Sequence, residues 1–400
     1  MKLKTTSLPS RRAFLRTSAV GSAAVFFGFH IRSADAATPS ARLIDNRVIS
    51  QQDEFYCGWP TLVRRANGEL IVVWSGGREQ HICPFGRVDM MRSHDDGKTW
   101  TWPRTLHDGP IDDRDAGIVE TAKGSLLVTT FTSLAYETYS LNNALAKKPG
   151  EPGAWPEEKL ERWLAVHNRI DAEQRQAELG QWMIRSTDGG ITWSSRYPSI
   201  VNSPHGPVQL SDGRLLYAGK ELWTSEKRVG VCQSVDDGQT WRWLAEIPTR
   251  PGDDASEYHE LHAVEADGGR LIVQIRNENK TNENETLQCE SDDGGATWTT
   301  PHTIGVWGLP SYLTKLNDGR LLMTYGYRRQ PYGNQARVSR DGGMSWSEPV
   351  TISGDGAGGD LGYPSTVQLV DGSLLTVWYE QMSGSPHAVL RQVRWRLSTE

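Results

Sequence analysis

Short apolar runs alternate along this chain with polar turns, and the alternation repeats. In six segments, at 60–78, 115–132, 205–220, 260–276, 310–328 and 363–380, a strand-like run enters a glycine-containing turn and a second run leaves it. The turns are Ala66-Asn67-Gly68, Ala122-Lys123-Gly124, Ser211-Asp212-Gly213, Ala266-Asp267-Gly268, Asn317-Asp318-Gly319 and Val370-Asp371-Gly372. Such sequences suit hairpin turns, because Gly accepts the positive φ that these turns demand. The runs that follow, such as 70–74, 126–130 and 374–378, are rich in Leu, Val, Ile and Thr, as buried strands are.

A second pattern lies between the first. Ser-x-Asp-x-Gly-x-Thr/Ser-Trp occurs at 93–100, 186–193, 234–241, 291–298 and 339–346. The Asp can accept bonds from backbone N–H groups within the turn, and each Trp gives its unit a large side chain to wedge against a neighbour. Six hairpins, five followed by a Trp-ended turn, predict six four-stranded sheets that cannot bury both faces alone. Radial stacking into an all-β, six-bladed β-propeller solves that problem within one domain. The sixth unit lacks the Trp turn, so its last strand is expected from the segment before Cys57. From about 134 to 180 the second blade carries an insertion, in which 156–179 reads as a charged amphipathic helix with Trp163, Leu164 and His167 at helical spacing. Two roles are open for it: packing on the blade's side, or a wall or lid over a site.

Composition trims the alternatives. With 37% hydrophobic and 23% charged residues among 400, the chain is neither disordered nor a polytopic membrane protein. A net charge of -6 argues against a nucleic-acid partner. Four Cys (57, 83, 232 and 289) are too scattered for a disulfide framework and form no CxxC pair. No metal constellation is evident and no cofactor is expected. At the N-terminus, Ser10-Arg11-Arg12-Ala13-Phe14-Leu15, an apolar stretch at 19–29 and Ala34-Asp35-Ala36 read as a twin-arginine export signal over 1–37. The mature chain, 38–400, is expected in the periplasm or medium, away from the membrane. Folded export means that its cysteines need not pair.

Both kinds of turn should lie at one end of the strands, which leaves the non-repeating loops and the candidate chemistry at the other. First-strand starts there supply Asp113, Arg114, Asp115, His205, His259, Glu260, His262 and Tyr363. Second-strand ends supply Arg78, Glu79, His81, Lys220, Arg276, Arg328, Arg329 and Glu380. Several converging cations suggest an anionic ligand, such as a carboxylate held by guanidinium forks.

With these features in place, the chain resembles the sialidase (neuraminidase) superfamily from about residue 50 to 395: the Trp turns look like its Asp boxes, and six blades is its architecture. The resemblance implies a tyrosine nucleophile at Tyr363, in Gly362-Tyr363-Pro364-Ser365, and Glu260 as the carboxylate that activates it. It also implies that Arg276 grips a substrate carboxylate, that Arg78 matches a substrate-binding arginine at the end of the first hairpin, and that Arg328 or Arg329 supplies the last arginine. Arg114, His205 and His262 join them as candidate substrate contacts from the ring. Where that family opens its first blade with Phe/Tyr-Arg-Ile-Pro, this chain has Cys57-Gly58-Trp59-Pro60, so one arginine is missing. Its acid/base Asp is also absent from 79–85, and His81, Glu79 or Asp115 is expected to substitute, with Asp115 favoured because Arg114 lies between two acids. The implied activity is retaining exo-hydrolysis of terminal sialic acid or a related acidic sugar from glycans. A uronate polysaccharide lyase using ring histidines, and a glycan-binding propeller without catalysis, are the alternatives.

Overall fold

A computed structural model describes residues 39–398. The export signal expected over 1–37 lies outside them. The described chain forms six four-stranded antiparallel sheets arranged as a six-bladed propeller. Each of the first five blades takes four strands consecutive in sequence; blade 1, for example, is Tyr56–Arg64, Leu70–Arg78, Arg87–Ser93 and Arg104–His107. The sixth is composite. Ser40–Val48 pairs antiparallel with Ala388–Ser398 and completes the sheet of Leu361–Gln368 and Leu374–Gln381, which closes the ring as the missing Trp turn led us to expect.

Register fixes which loops share an end. Leu70, just after the first hairpin turn, pairs with Ser93, the first residue of the first Asp box. Hairpin turns and Asp boxes therefore sit together, and the starts of first strands lie opposite. Each box closes through its own polar residues. In the first, Gly97 N–H donates to Ser93 Oγ (2.9 Å), while Thr99 N–H and Thr99 Oγ1 donate to the Asp95 carboxylate (2.9 and 2.7 Å). Two of the tryptophans then tie neighbours together: Trp100 Nε1 donates to Gln392 of blade 6 and Trp346 Nε1 to Gln288 of blade 4. Between the blades lie apolar clusters, such as Ile71, Val73, Met90, Ile118 and Val128, all 3% exposed or less.

The insertion departs from the expected single helix. It forms a π-helical turn Glu137–Leu141, a short helix Asn142–Leu145, and then two helices, Glu157–His167 and Ala172–Ala177. The break has a local cause. Asp171 caps the last helix, accepting from Gln174 N–H (2.8 Å) while Gln174 Oε1 accepts from Asp171 N–H (2.9 Å). Trp163 is fully buried among Cys83, Tyr136 and Leu141, so the insertion docks on the 79–85 loop of blade 1. All four cysteines are free and buried, and among the described residues no helix is long and apolar enough to cross a membrane.

Candidate active site

Four first strands open with a bulge at the end opposite the Asp boxes. Pairing slips between Gly58 and Thr61 in blade 1, Arg114 and Gly117 in blade 2, His259 and Leu261 in blade 4, and Gly362 and Ser365 in blade 6. Three bulge residues with side chains stand at positive φ: Trp59 (54°), Asp115 (51°) and Tyr363 (53°). That conformation costs non-glycine residues about 1–3 kcal/mol each and collects at functional sites. A bulge turns a side chain away from the alternation of its strand, and the side chains re-aimed here include Trp59, Asp115, Glu260 and Tyr363.

Tyr363 and Glu260 meet. The tyrosine hydroxyl donates to Glu260 Oε1 at 2.6 Å, and Arg276 donates to the same oxygen at 2.9 Å while standing 3.3 Å from the hydroxyl. The other arm of Arg276 bonds Glu278. Burial and the neighbouring Glu260 charge push the Tyr363 pKa well above that of an ordinary phenol. Burial would raise Glu260 as well, but Arg276, His259 and the tyrosine bond bring it below the usual carboxylate range. At neutral pH the pair is therefore a neutral phenol on an ionised carboxylate.

Asp115 lines a small cavity of about 120 Å³ together with Ser203, Lys220, His259 and Glu260. Burial, opposed by Arg114 and reinforced by Glu260, raises the Asp115 pKa to about 7. Asp115 Oδ1 and Glu260 Oε2 are buried without a hydrogen-bond partner among the described residues. Buried polar atoms left unmet call for an explanation, and these two belong to residues that line one cavity.

The expected cations divide. Arg276 lies in the centre, and Arg328 places its guanidinium 5.9 Å from the Tyr363 ring while its Nε donates to Leu361 O. Arg114 lies over the Trp59 indole at 4.5 Å. Arg329 points elsewhere: it is exposed and stacks at 3.5 Å on Trp307, in the outer strand of blade 4. Arg78 has no exposed surface. It forms a bidentate pair with Asp112 (2.7 and 3.0 Å) and further bonds to Ser75 Oγ and His81 O, so its guanidinium is consumed within the protein.

The histidines divide too. His262 is buried, its Nδ1 accepts from Leu313 N–H (2.9 Å), and its ring stacks on Tyr312 at 4.3 Å, a packing role in place of the substrate contact expected. His205 is buried beneath Tyr363, with ring centroids 6.2 Å apart and its Nδ1 3.3 Å from Thr61 Oγ1. Burial lowers the pKa of both, so they are neutral. Glu79 is removed from the site by Arg162 (2.6 Å) and Trp163 (2.9 Å) of the insertion. His81, on the same loop, remains at the rim and contacts Asp360 (3.0 Å).

Two site neighbours escaped the sequence reading. Trp59 lies within 4.9 Å of His81 and 6.4 Å of Tyr363, ring to ring. Its signal was the likeness of Gly58-Trp59-Pro60 to Gly362-Tyr363-Pro364, two blades opened by the same glycine–aromatic–proline step. Asp360 had none, being a single acid in a glycine-rich loop. Glu257, His259 and Glu278 also bring three potential ligand atoms within 4.8 Å of one another at the rim, although their spacing in sequence gave no hint of it.

Comparison with known proteins places this fold among relatives. The BNR repeat-like domain pattern matches residues 137–376. A sialidase of Bacteroides fragilis is 25% identical over 366 residues, covering 84% of this chain and 61% of its own; this chain thus spans about three fifths of that relative's length. Among solved structures, a protein of unknown function from Dyadobacter fermentans superposes with a TM-score of 0.70 at 20% identity, over 90% of this chain and all of its own. The intramolecular trans-sialidase from Ruminococcus gnavus follows the same fold with a TM-score of 0.59 at 14% identity, over 91% of this chain and 98% of its own.

Proposed function

The chain belongs to the BNR repeat-like family of the sialidase superfamily, and on that footing we propose that it is an exported, retaining exo-glycosidase that removes a terminal acidic sugar from glycans. The observation that carries this reading is the 2.6 Å hydrogen bond from the Tyr363 hydroxyl to Glu260. In the first step the Tyr363 oxygen attacks the anomeric carbon and its proton passes to Glu260. The bond to the leaving oxygen breaks as that oxygen takes a proton from an acid, and Asp115, protonated up to about pH 7, supplies it. In the second step water attacks the same carbon and gives its proton to Asp115, while the departing phenolate recovers its own from Glu260.

A phenol suits this substrate class. Keto-acid sugars carry a carboxylate on the anomeric carbon, which would repel an anionic Asp or Glu nucleophile. Tyr363 stays neutral until Glu260 takes its proton, and Arg276 and Arg328 stand where they can hold the carboxylate. The lyase alternative is weakened, since two of its histidines, His205 and His262, are buried in packing contacts with Tyr312.

The test is Tyr363→Phe assayed on an aryl ketoside of sialic acid, with product configuration followed by NMR. The parent should release sugar with retained configuration, and the variant should lose turnover while keeping most of its binding. Parent-rate hydrolysis by the variant would remove the nucleophile assignment.

A further inference from the structure

The blade 1 side of the site has its own chemistry. Gly58 leaves no side chain there, and a Cβ at that position would meet the Tyr56 ring at 3.0 Å. Tyr56 thus fills the space that a longer residue at 58 would need. Arg78, paired across the sheet from Tyr56, is spent on Asp112. What the wall presents instead is a carboxylate. The Tyr56 hydroxyl shares its one proton between Asp360 Oδ1 (3.1 Å) and Oδ2 (3.0 Å), Oδ1 also accepts from Tyr379 (3.0 Å), and His81 Nδ1 lies 3.0 Å from both Oδ1 and the Tyr56 hydroxyl oxygen.

These bonds orient the cluster. A carboxylate beside Nδ1 fixes the proton on that nitrogen and leaves the lone pair on Nε2. Burial holds His81 below its ordinary pKa against the pull of Asp360, so the ring is neutral at neutral pH. Burial would raise Asp360, but its bonds to His81, Tyr379 and Tyr56 keep it low and ionised. Both side chains remain about 40% exposed (43% and 39%), so the pair is open to a ligand. The wall stands next to the nucleophile: the Tyr379 ring that holds Asp360 is 5.9 Å from the Tyr363 ring, and the Trp59 indole lies between His81 and Tyr363. An ionised carboxylate beside an imidazole lone pair accepts hydrogen bonds and repels anions, the reverse of a guanidinium.

We propose that Asp360 and His81 form a hydroxyl-reading subsite that accepts hydrogen bonds from two neighbouring hydroxyls of the sugar seated at Tyr363. The substrate is then an acidic sugar whose carboxylate faces Arg276 and Arg328 and whose vicinal diol faces blade 1. This rests on the glycosidase reading above and narrows it.

The experiment compares the 4-methylumbelliferyl ketoside of sialic acid with the same compound after periodate cleavage and borohydride reduction, which destroys its exocyclic diol. Parent, Asp360→Asn and Tyr363→Phe are assayed on both, with thermal unfolding as a control for folding. A hydrogen bond to a charged acceptor makes loss of the diol cost the parent roughly 10- to 100-fold in kcat/KM, mostly through KM. Asp360→Asn should lose a similar factor on the intact ketoside and match the parent on the truncated one, an equality that a merely structural role would not produce. Equal parent rates on both compounds, or discrimination preserved in Asp360→Asn, would overturn the subsite and leave the hydrolase standing. Turnover of neither compound by the parent would overturn the underlying glycosidase reading instead, and parent-rate turnover by Tyr363→Phe would remove its nucleophile assignment.

Discussion

Arg78 and Asp112 face each other with two guanidinium nitrogens on two carboxylate oxygens, at 2.7 and 3.0 Å, and neither side chain reaches solvent. The pair joins the end of a blade 1 strand to the start of a blade 2 strand directly beneath the site. Its chemistry is that of a ligand clamp closed on the protein itself.

Breaking that clamp should be costly. Arg78→Ala leaves buried Asp112 with only Arg114, 3.8 Å away, and we expect a loss of about 3–5 kcal/mol in urea unfolding. The double variant Arg78→Met with Asp112→Leu should recover most of it, because an apolar pair of similar volume carries no uncompensated charge. A loss below about 1 kcal/mol in the single variant would show that the pair is solvated and free to bind substrate.

Asp115 should set the alkaline limb of activity. Its pKa is raised to about 7 by burial, so the proton it donates to the leaving oxygen disappears as pH rises through 7. The kcat/KM profile is expected to fall above that point, and Asp115→Asn should abolish the limb along with most turnover of poor leaving groups. Stability follows the same proton. The folded state holds it to about pH 7 while the unfolded carboxyl releases it near 4, so this group's contribution is complete below about 4 and is lost as pH rises toward 7. Asp115→Asn should reduce the fall in stability over that interval in denaturant titrations at fixed temperature, with Asp113, raised to about 8, supplying much of what remains.

The insertion should act through the loop it grips. Lys159, Arg162 and Trp163 reach Gln80 and Glu79, immediately before His81. Emptying the fully buried Trp163 site with Trp163→Ala should cost about 3–5 kcal/mol. It should also speed amide exchange across 80–85 and raise KM. Unchanged exchange in that loop would mean that the insertion only pads the blade.

How much of this was legible depends on the range of each interaction. Hairpin turns and Asp boxes are local, with the side-chain bonds of Ser93, Asp95 and Thr99 closing within one box, so the pattern alone located them. The helix break at Asp171 was legible in principle, since Asp171 and Gln174 have the spacing of a capping pair. Glu260 and Tyr363, 103 residues apart, came together only through family resemblance. The burial of Arg78 was not readable, because an arginine at a strand end looks the same whether it faces a ligand or a hidden Asp112. Arg329 was misjudged for a similar reason: the chain turns after Arg328, which sends consecutive arginines to the centre and to Trp307.

The central claim, a covalent bond from sugar to Tyr363, can be read by intact-protein and peptide mass spectrometry after incubation with an activated fluorinated sialosyl donor that slows release. The expected result is one added glycosyl mass on the peptide containing Tyr363, lost in Tyr363→Phe. A protein that hydrolyses the donor yet carries no adduct, or carries it on another residue, would contradict the account.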